Sequence, residues 1–307
     1  EFAYEVVGIS EIDRYALQAY KSLHGHCPNY GDISKIDWSS VPNFDLFTYS
    51  SPCQDFSIAG KQKGGTQGSG TRSSLLWECY RAIEAKKPRF LLFENVAALR
   101  TCKFIRLFND WQCRLEQIGY TNYAKVLNVK HLDVPQSRER LFCISVLKKG
   151  FEFPKGNSVT KKMLDVLDVK VDDKYYVQMT PQRAEQFRLN YGKHSRTDIW
   201  QVSCIQKQRL KFNNVFEGRV FSPLGIAPTV LRCKDRLLVL CDDGRIRYLT
   251  EKEAFRLMGL KDGEIDAIQS TDISSTQQYK MAGNSIVVNV LSALFEQMFY
   301  PKKNKGD

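Results

Sequence analysis

Long apolar runs, paired cysteines and a leader-like start are all missing from this 307-residue sequence. No stretch approaches eighteen uninterrupted apolar residues, which excludes a membrane-spanning helix. The opening residues carry no basic segment followed by a cleavage site, so no secretory signal is read there. The nine cysteines are an odd number, scattered singly, with no Cys-x-x-Cys pair among them. That argues against a disulfide scaffold and a cysteine-held zinc, and no metal is expected. A reducing cytoplasm is the expected setting, with most thiols serving as small buried hydrophobes. Internal repeats and low-complexity tracts are also lacking.

What is present is an ordinary globular composition, 43% hydrophobic and 26% charged, with a formal net charge of +11. A basic balance favours an anionic partner, but a basic surface serves solubility equally well. Its distribution is more informative. Residues 155–219 hold 13 Lys/Arg against 7 Asp/Glu, more than half the excess charge on about a fifth of the chain. There the alternation of strands and helices also fails.

Before that segment, β-rich apolar runs at 4–9, 44–49, 90–93, 123–129 and 141–146 alternate with amphipathic stretches. Phe104, Leu107, Phe108, Trp111, Leu115 and Ile118 share one helical face that Gly119 ends. The rhythm predicts an α/β fold, a doubly wound, mostly parallel sheet with helices on both faces. In such sheets ligands sit beyond the carboxyl ends of the strands. Further on, Thr250 and Glu253 form a capping box for a helix through Met258. Residues 285–300 predict a closing helix with Asn284 or Ser285 as N-cap, and 302–307 a loose tail.

Three strand ends carry chemistry-bearing residues. After the strand at 44–49 come Ser51-Pro52-Cys53-Gln54-Asp55-Phe56-Ser57 and a loop holding Gly60, Gly64, Gly65, Gly68 and Gly70. A rigid turn there projects a thiol at the sheet edge, under a loop able to close over a substrate. After the strand at 90–93 comes Glu94-Asn95-Val96; read alone, such a carboxylate is more often a solvated cap. Gln136-Ser137-Arg138-Glu139-Arg140 leads into the strand at 141–146, with both arginines on one face of an extended segment.

Pro52-Cys53-Gln54, Glu94-Asn95-Val96, Gln136-x-Arg138-x-Arg140 and Gly283-Asn284-Ser285 occur in the order and approximate spacing of bacterial C5-cytosine DNA methyltransferases. The chain resembles that family over almost its whole length. The resemblance implies a class I, Rossmann-like fold with a small mixed target-recognition domain. It also implies S-adenosyl-L-methionine as methyl donor (S-adenosyl-L-homocysteine as product) and duplex DNA as partner. Cys53 is then the nucleophile, Glu94 contacts and protonates the flipped cytosine, Arg140 contacts its O2, and Arg138 supports the site. Asn95 orients the Pro-Cys loop, with Gln54, Ser57, Val96 and Gln136 as further support. Glu11 holds the cofactor ribose, Ile12 packs on adenine, and Asp32 and Ile33 flank the adenine amino group. Pro52 joins the cofactor site, while Asn284 and Ser285, read as a helix start, meet the methionine end. The implied division is 1–149 catalytic and cofactor-binding, 150–219 target recognition, and 220–301 the recognition remainder and return. Tyr175, Tyr176, Tyr191 and Trp200 lie where base or phosphate contacts are made.

One departure stands out. The family's opening strand and glycine-rich turn, roughly Phe-x-Gly-x-Gly, do not occur here, and the expectation is that a preceding segment or a second polypeptide supplies them. Two other readings compete: an RNA cytosine methyltransferase on the same motif set, and a DNA-binding subunit without activity.

Overall fold

The chain divides into two compact units, one of Glu1–Leu127, Glu139–Pro154 and Leu294–Asp307, the other of Asn128–Arg138 and Lys155–Ala293. The computed structural model describes residues 4–50, 75–148, 150–188, 198–204, 218–233 and 237–300.

In the first unit, α1 (Arg14–His24) starts at Asp13, whose carboxylate accepts from the Tyr15 amide at 3.0 Å. It ends at Gly25, with φ +74. Then come β1 (Leu46–Tyr49), α2 (Leu76–Lys86), β2 (Phe90–Val96), α3 (Ile105–Gln117), β3 (Thr121–Asn128) and β4 (Glu139–Val146). The sheet order is β1-β2-β4-β3. β1 runs parallel to β2, with Tyr49 opposite Phe93, and β4 is antiparallel to β2. The α/β class is as the sequence implied. Among the described strands, however, this sheet is mixed rather than mostly parallel.

Burial explains the centre of the sheet. Phe90, Leu91, Leu92 and Phe93 are nearly sealed from solvent on both faces, as a continuous apolar run requires. The stripe on α3 buries Phe108, Trp111 and Leu115. Trp111 gathers Tyr49, Trp77 and Tyr80 at centroid distances of 5.8, 5.6 and 6.1 Å. Removing so large a buried ring typically costs about 3–5 kcal/mol. Residues 4–9, expected as a strand, form no ladder among the described residues beyond one parallel bridge, Ile9 to Asn29. A strand needs a neighbour along its length, and Tyr4 and Val6 are exposed here.

The second unit holds α4 (Pro181–Arg188), β5 (Gln201–Cys204), β6 (Arg219–Phe221), β7 (Leu238–Leu240), β8 (Ile246–Tyr248), α5 (Glu251–Arg256), α6 (Asp262–Gln269) and α7 (Ser275–Asn284). Its sheet order is β5-β6-β7-β8, with only β6 and β7 parallel. The Thr250–Glu253 capping box forms in both directions at 2.8 and 3.1 Å. Glu253 also takes Arg247 through two bonds of 2.7 Å, fully buried. Gly259, at φ +85, ends that turn. The last helix, α8 (Val288–Phe299), straddles the division, and within the first unit its Phe299 meets Phe90 edge-on at 5.2 Å.

The closing-helix expectation is corrected here. Asn284 is the last residue of α7 and Ser285 is its C-cap. The Ser285 amide donates to the Met281 carbonyl at 2.9 Å and its hydroxyl to the same carbonyl at 2.8 Å. These bonds end one helix; the next begins at Val288.

Candidate active site

Glu94 does not follow its strand but lies within it, opposite Phe142 of β4. Two positions on, Val96 faces Arg140, so Glu94 and Arg140 are diagonal neighbours on one face of an antiparallel pair. The Arg140 Nε sits 3.2 Å from Glu94 Oε1, the two side chains 17% and 10% exposed. A second donor, Nη1, reaches the Glu139 carbonyl at 2.7 Å. A carboxyl group and a guanidinium thus share a nearly dry surface, suited to a ligand offering both a donor edge and an acceptor. Asn95 alternates to the other face, 1% exposed, and its Oδ1 accepts from the Val96 amide at 2.9 Å.

The parallel register sets the ends of β1 and β2 at one edge, since Tyr49 pairs with Phe93 and Glu94 is the next residue. Pro52, Cys53, Gln54, Ser57 and the glycine loop follow β1 and lie outside the described residues. Among the described cysteines, burial pushes the Cys79 and Cys143 thiols up to about 12 and Cys241 up to about 11. All three stay protonated at neutral pH and are poor nucleophiles.

Arg138 and Gln136 belong to the second unit and are 2% and 0% exposed. Arg138 donates through Nη1 to the Val230 carbonyl at 3.0 Å, and through Nη2 to those of Gly283 and Ser285 at 2.9 Å each. The guanidinium therefore closes the carboxyl end of α7, where a cation also suits the helix dipole. The Gln136 Oε1 accepts from the Val230 amide at 2.9 Å, and Nε2 donates to the Leu257 carbonyl at 2.7 Å. Thr229 donates to the Ser137 carbonyl at 2.8 Å, completing a seam between 135–138 and 227–230. A Cβ on Gly283 would meet the Leu231 and Arg232 backbone at 2.5 Å, so only glycine fits beside that seam.

The remaining predicted residues fall in the first unit around one short bridge. Glu11 Oε1 accepts from the Ile12 and Asp13 amides at 2.7 Å each, and the Ile12 side chain is 76% exposed. Asp32 Oδ1 accepts from the amide and hydroxyl of Ser34, which holds its carboxyl below the usual range. Ile33 is half-buried against the core. An oriented carboxylate beside an exposed aliphatic side chain fits a ribose and a purine face. Asn284 and Ser285 sit at a helix end rather than a helix start, and a helix end presents carbonyls rather than amides. Of the recognition aromatics, Tyr175 is buried and donates to Glu251, while Tyr176 lies under the Arg245 guanidinium at 3.9 Å. Tyr191 lies outside the described residues, and Trp200 is half-buried. Asn29, which binds both the Glu11 and Gly31 turns, was not anticipated; its signal is the Asn-x-Gly spacing of a side-chain-closed turn.

The family model described as C-5 cytosine-specific DNA methylase matches residues 1–300. The chain is 39% identical over 273 residues to the type II methyltransferase M2.ScrFI of Lactococcus lactis subsp. cremoris, covering 88% of this chain and 71% of that protein. It is 34% identical over 276 residues to the orphan methyltransferase M.SssI of Spiroplasma monobiae, covering 88% and 69%. Solved structures share the fold: the Entamoeba histolytica methyltransferase EhMeth at TM-score 0.70 and 16% identity, covering 95% of this chain and 89% of that one. S. pombe Dnmt2 follows at 0.67 and 18%, covering 97% and 91%. The chain belongs to the C-5 cytosine-specific DNA methylase family, whose methyl donor is S-adenosyl-L-methionine.

Proposed function

We propose that this DNA cytosine-5 methyltransferase works on a cytosine flipped out of a specific duplex sequence, through a covalent bond from Cys53 to C6. Cytosine C5 is a weak nucleophile. Thiolate addition at C6 makes C5 enamine-like, methyl transfer follows, and loss of the C5 proton expels the thiol. The observation that carries this reading is the Glu94–Arg140 pair at the edge where β1 ends. Cys53 follows Tyr49 by four residues, a reach of at most about 14 Å at ~3.3–3.6 Å per residue.

In this scheme Glu94 holds N3 and the exocyclic amine, and Arg140 holds O2. Their mutual bond keeps both side chains poised on one face until the base enters. A base stacked in B-form DNA is closed to perpendicular attack at C6, so it must leave the helix at a cost of a few kcal/mol. Edge contacts from Glu94 and Arg140 offset that cost. Arg138, tied to three carbonyls, acts by fixing the segment that leads into β4, and Arg140 is the cation available to the base. Asn95 and Val96 fix the strand end beside it. S-adenosyl-L-methionine supplies an electrophilic methyl group when bound. Glu11 would hold its ribose hydroxyls and Ile12 and Ile33 its adenine, with Asp32 at the amino group.

Duplex DNA is the partner in this reading, favoured over RNA by the family match and by the bacterial and phage relatives. Those sources support a bacterial cytoplasm as its setting in this reading; no described helix is long and apolar enough to cross a membrane. The comparisons give no support to a second polypeptide. The basic segment 155–219 is the proposed recognition region.

The test is covalent capture. A duplex carrying 5-fluorocytosine at the target should trap the enzyme, because fluorine cannot depart as the C5 proton does. Cys53→Ser should abolish the adduct. An adduct retained in that variant would move the nucleophile to another cysteine and end the proposal.

A further inference from the structure

We propose that Asn29 is a positioning residue for the cofactor, its carboxamide setting the Glu11 turn in register with the Gly31–Asp32 turn. This rests on the reading of Glu11 and Asp32 as cofactor contacts and adds a residue none of that reasoning used.

The backbone ladder between these two segments stops after one rung. Ile9 and Asn29 form a single parallel bridge, with the Ile9 amide on the Pro28 carbonyl at 2.9 Å and the Tyr30 amide on the Ile9 carbonyl at 2.8 Å. No further rung follows between these segments among the described residues. In its place the Asn29 side chain acts as a peptide group. Its Oδ1 accepts from the Glu11 amide at 3.1 Å and its Nδ2 donates to the Glu11 carbonyl at 3.0 Å. The same Oδ1 accepts from the Gly31 amide at 3.1 Å. Gly31, at φ +73, is gripped from the other side by the Ser10 hydroxyl, which donates to its carbonyl at 2.7 Å.

Each turn is already stiff within itself. Glu11 Oε1 closes one on two amides, and Asp32 closes the other on Ser34. Asn29 and Ser10 tie the first to the second. Asn29 is itself exposed, so no buried cavity depends on it, and ordering an exposed side chain costs entropy. The return is the fixed spacing between a carboxylate and a second contact about twenty residues later in sequence, which must grip two ends of one ligand. Errors of an ångström in such spacing are costly.

The experiment measures S-adenosyl-L-homocysteine affinity calorimetrically on the whole chain for Asn29→Ala, Asn29→Asp, Glu11→Gln and the Asn29→Ala/Glu11→Gln double variant. Asn29→Ala should weaken binding about five- to tenfold. Asn29→Asp, which keeps the acceptor and loses the donor, should recover part of that. The double variant should bind within about twofold of Glu11→Gln alone, because the carboxylate that Asn29 positions is already gone. KM for the methyl donor should rise with kcat nearly unchanged, and Tm should hold within two degrees. Unchanged affinity in Asn29→Ala beside a weakened Glu11→Gln overturns the inference alone. Full affinity in Glu11→Gln overturns the cofactor reading beneath it. Parallel losses of Tm, DNA affinity and cofactor affinity in Asn29→Ala make the residue structural and overturn it too.

Discussion

Replacing Arg138 with methionine separates a positioning arginine from one that touches the base. The guanidinium is 2% exposed and donates to three carbonyls, those of Val230, Gly283 and Ser285. Methionine fills a similar volume and offers no donor. Each carbonyl left buried without a partner costs about 1–3 kcal/mol, against which removing a buried charge returns part. A net loss of about 3 kcal/mol or more follows, and a chain of this size then loses roughly 6–12 °C in Tm. Arg138→Lys keeps the charge but not the planar fork, and should fall between. The assay pairs calorimetric Tm with tritiated methyl transfer, run well below both transitions and expressed per folded molecule. Activity so normalised should stay within about tenfold of the parent. A Tm drop under two degrees together with a hundredfold loss of methyl transfer would refute the reasoning and put the guanidinium at the cytosine.

The Glu94–Arg140 pair should behave in the opposite way. Arg140→Ala and Glu94→Gln should each lower methyl transfer per folded molecule by about a hundredfold or more, beyond whatever unfolding free energy is lost by breaking a nearly buried pair, up to about 3–5 kcal/mol; activity per folded molecule that stays near the parent's would make the pair structural. Acid stability should show the Asp262–Arg256 ion pair. Its hydrogen bonds to Arg256 lower the Asp262 carboxyl from 3.8 to about 2. Its contribution is present above about pH 4 and fades as pH falls towards 2. Asp262→Asn should flatten the stability slope in that window, as followed by urea unfolding at several pH values.

Much of this fold was legible because its local signals agree. The β-rich runs at 44–49, 123–129 and 141–146, the α3 stripe and the Thr250–Glu253 box each carry their own evidence within a few residues. The sites that went astray depend on distant partners. Glu94 reads as a residue after a strand because glutamate disfavours strands, yet its position is set by Arg140, 46 residues later. Gly283-Asn284-Ser285 carries residues suited to a helix start and to a helix stop alike. What makes it a stop includes Arg138, 145 residues earlier, on two of its carbonyls. Asn29 went unnoticed because its task is to replace a rung between two segments eighteen residues apart.

The threading of the chain bears on how the enzyme is made. Its first compact unit draws on residues 1–127, 139–154 and 294–307, and the second on 128–138 and 155–293. Neither is a continuous stretch of polypeptide, so synthesis cannot finish one before beginning the other. The central strand β2 waits some forty residues for β4, and Phe90 waits about two hundred for Phe299. Through that interval the apolar strands have no complete home, and contacts of such long sequence separation form slowly. Yield in a cell should therefore depend on chaperone supply and growth temperature, and splitting the gene within 155–293 should be tolerated less well than the count of compact units would suggest.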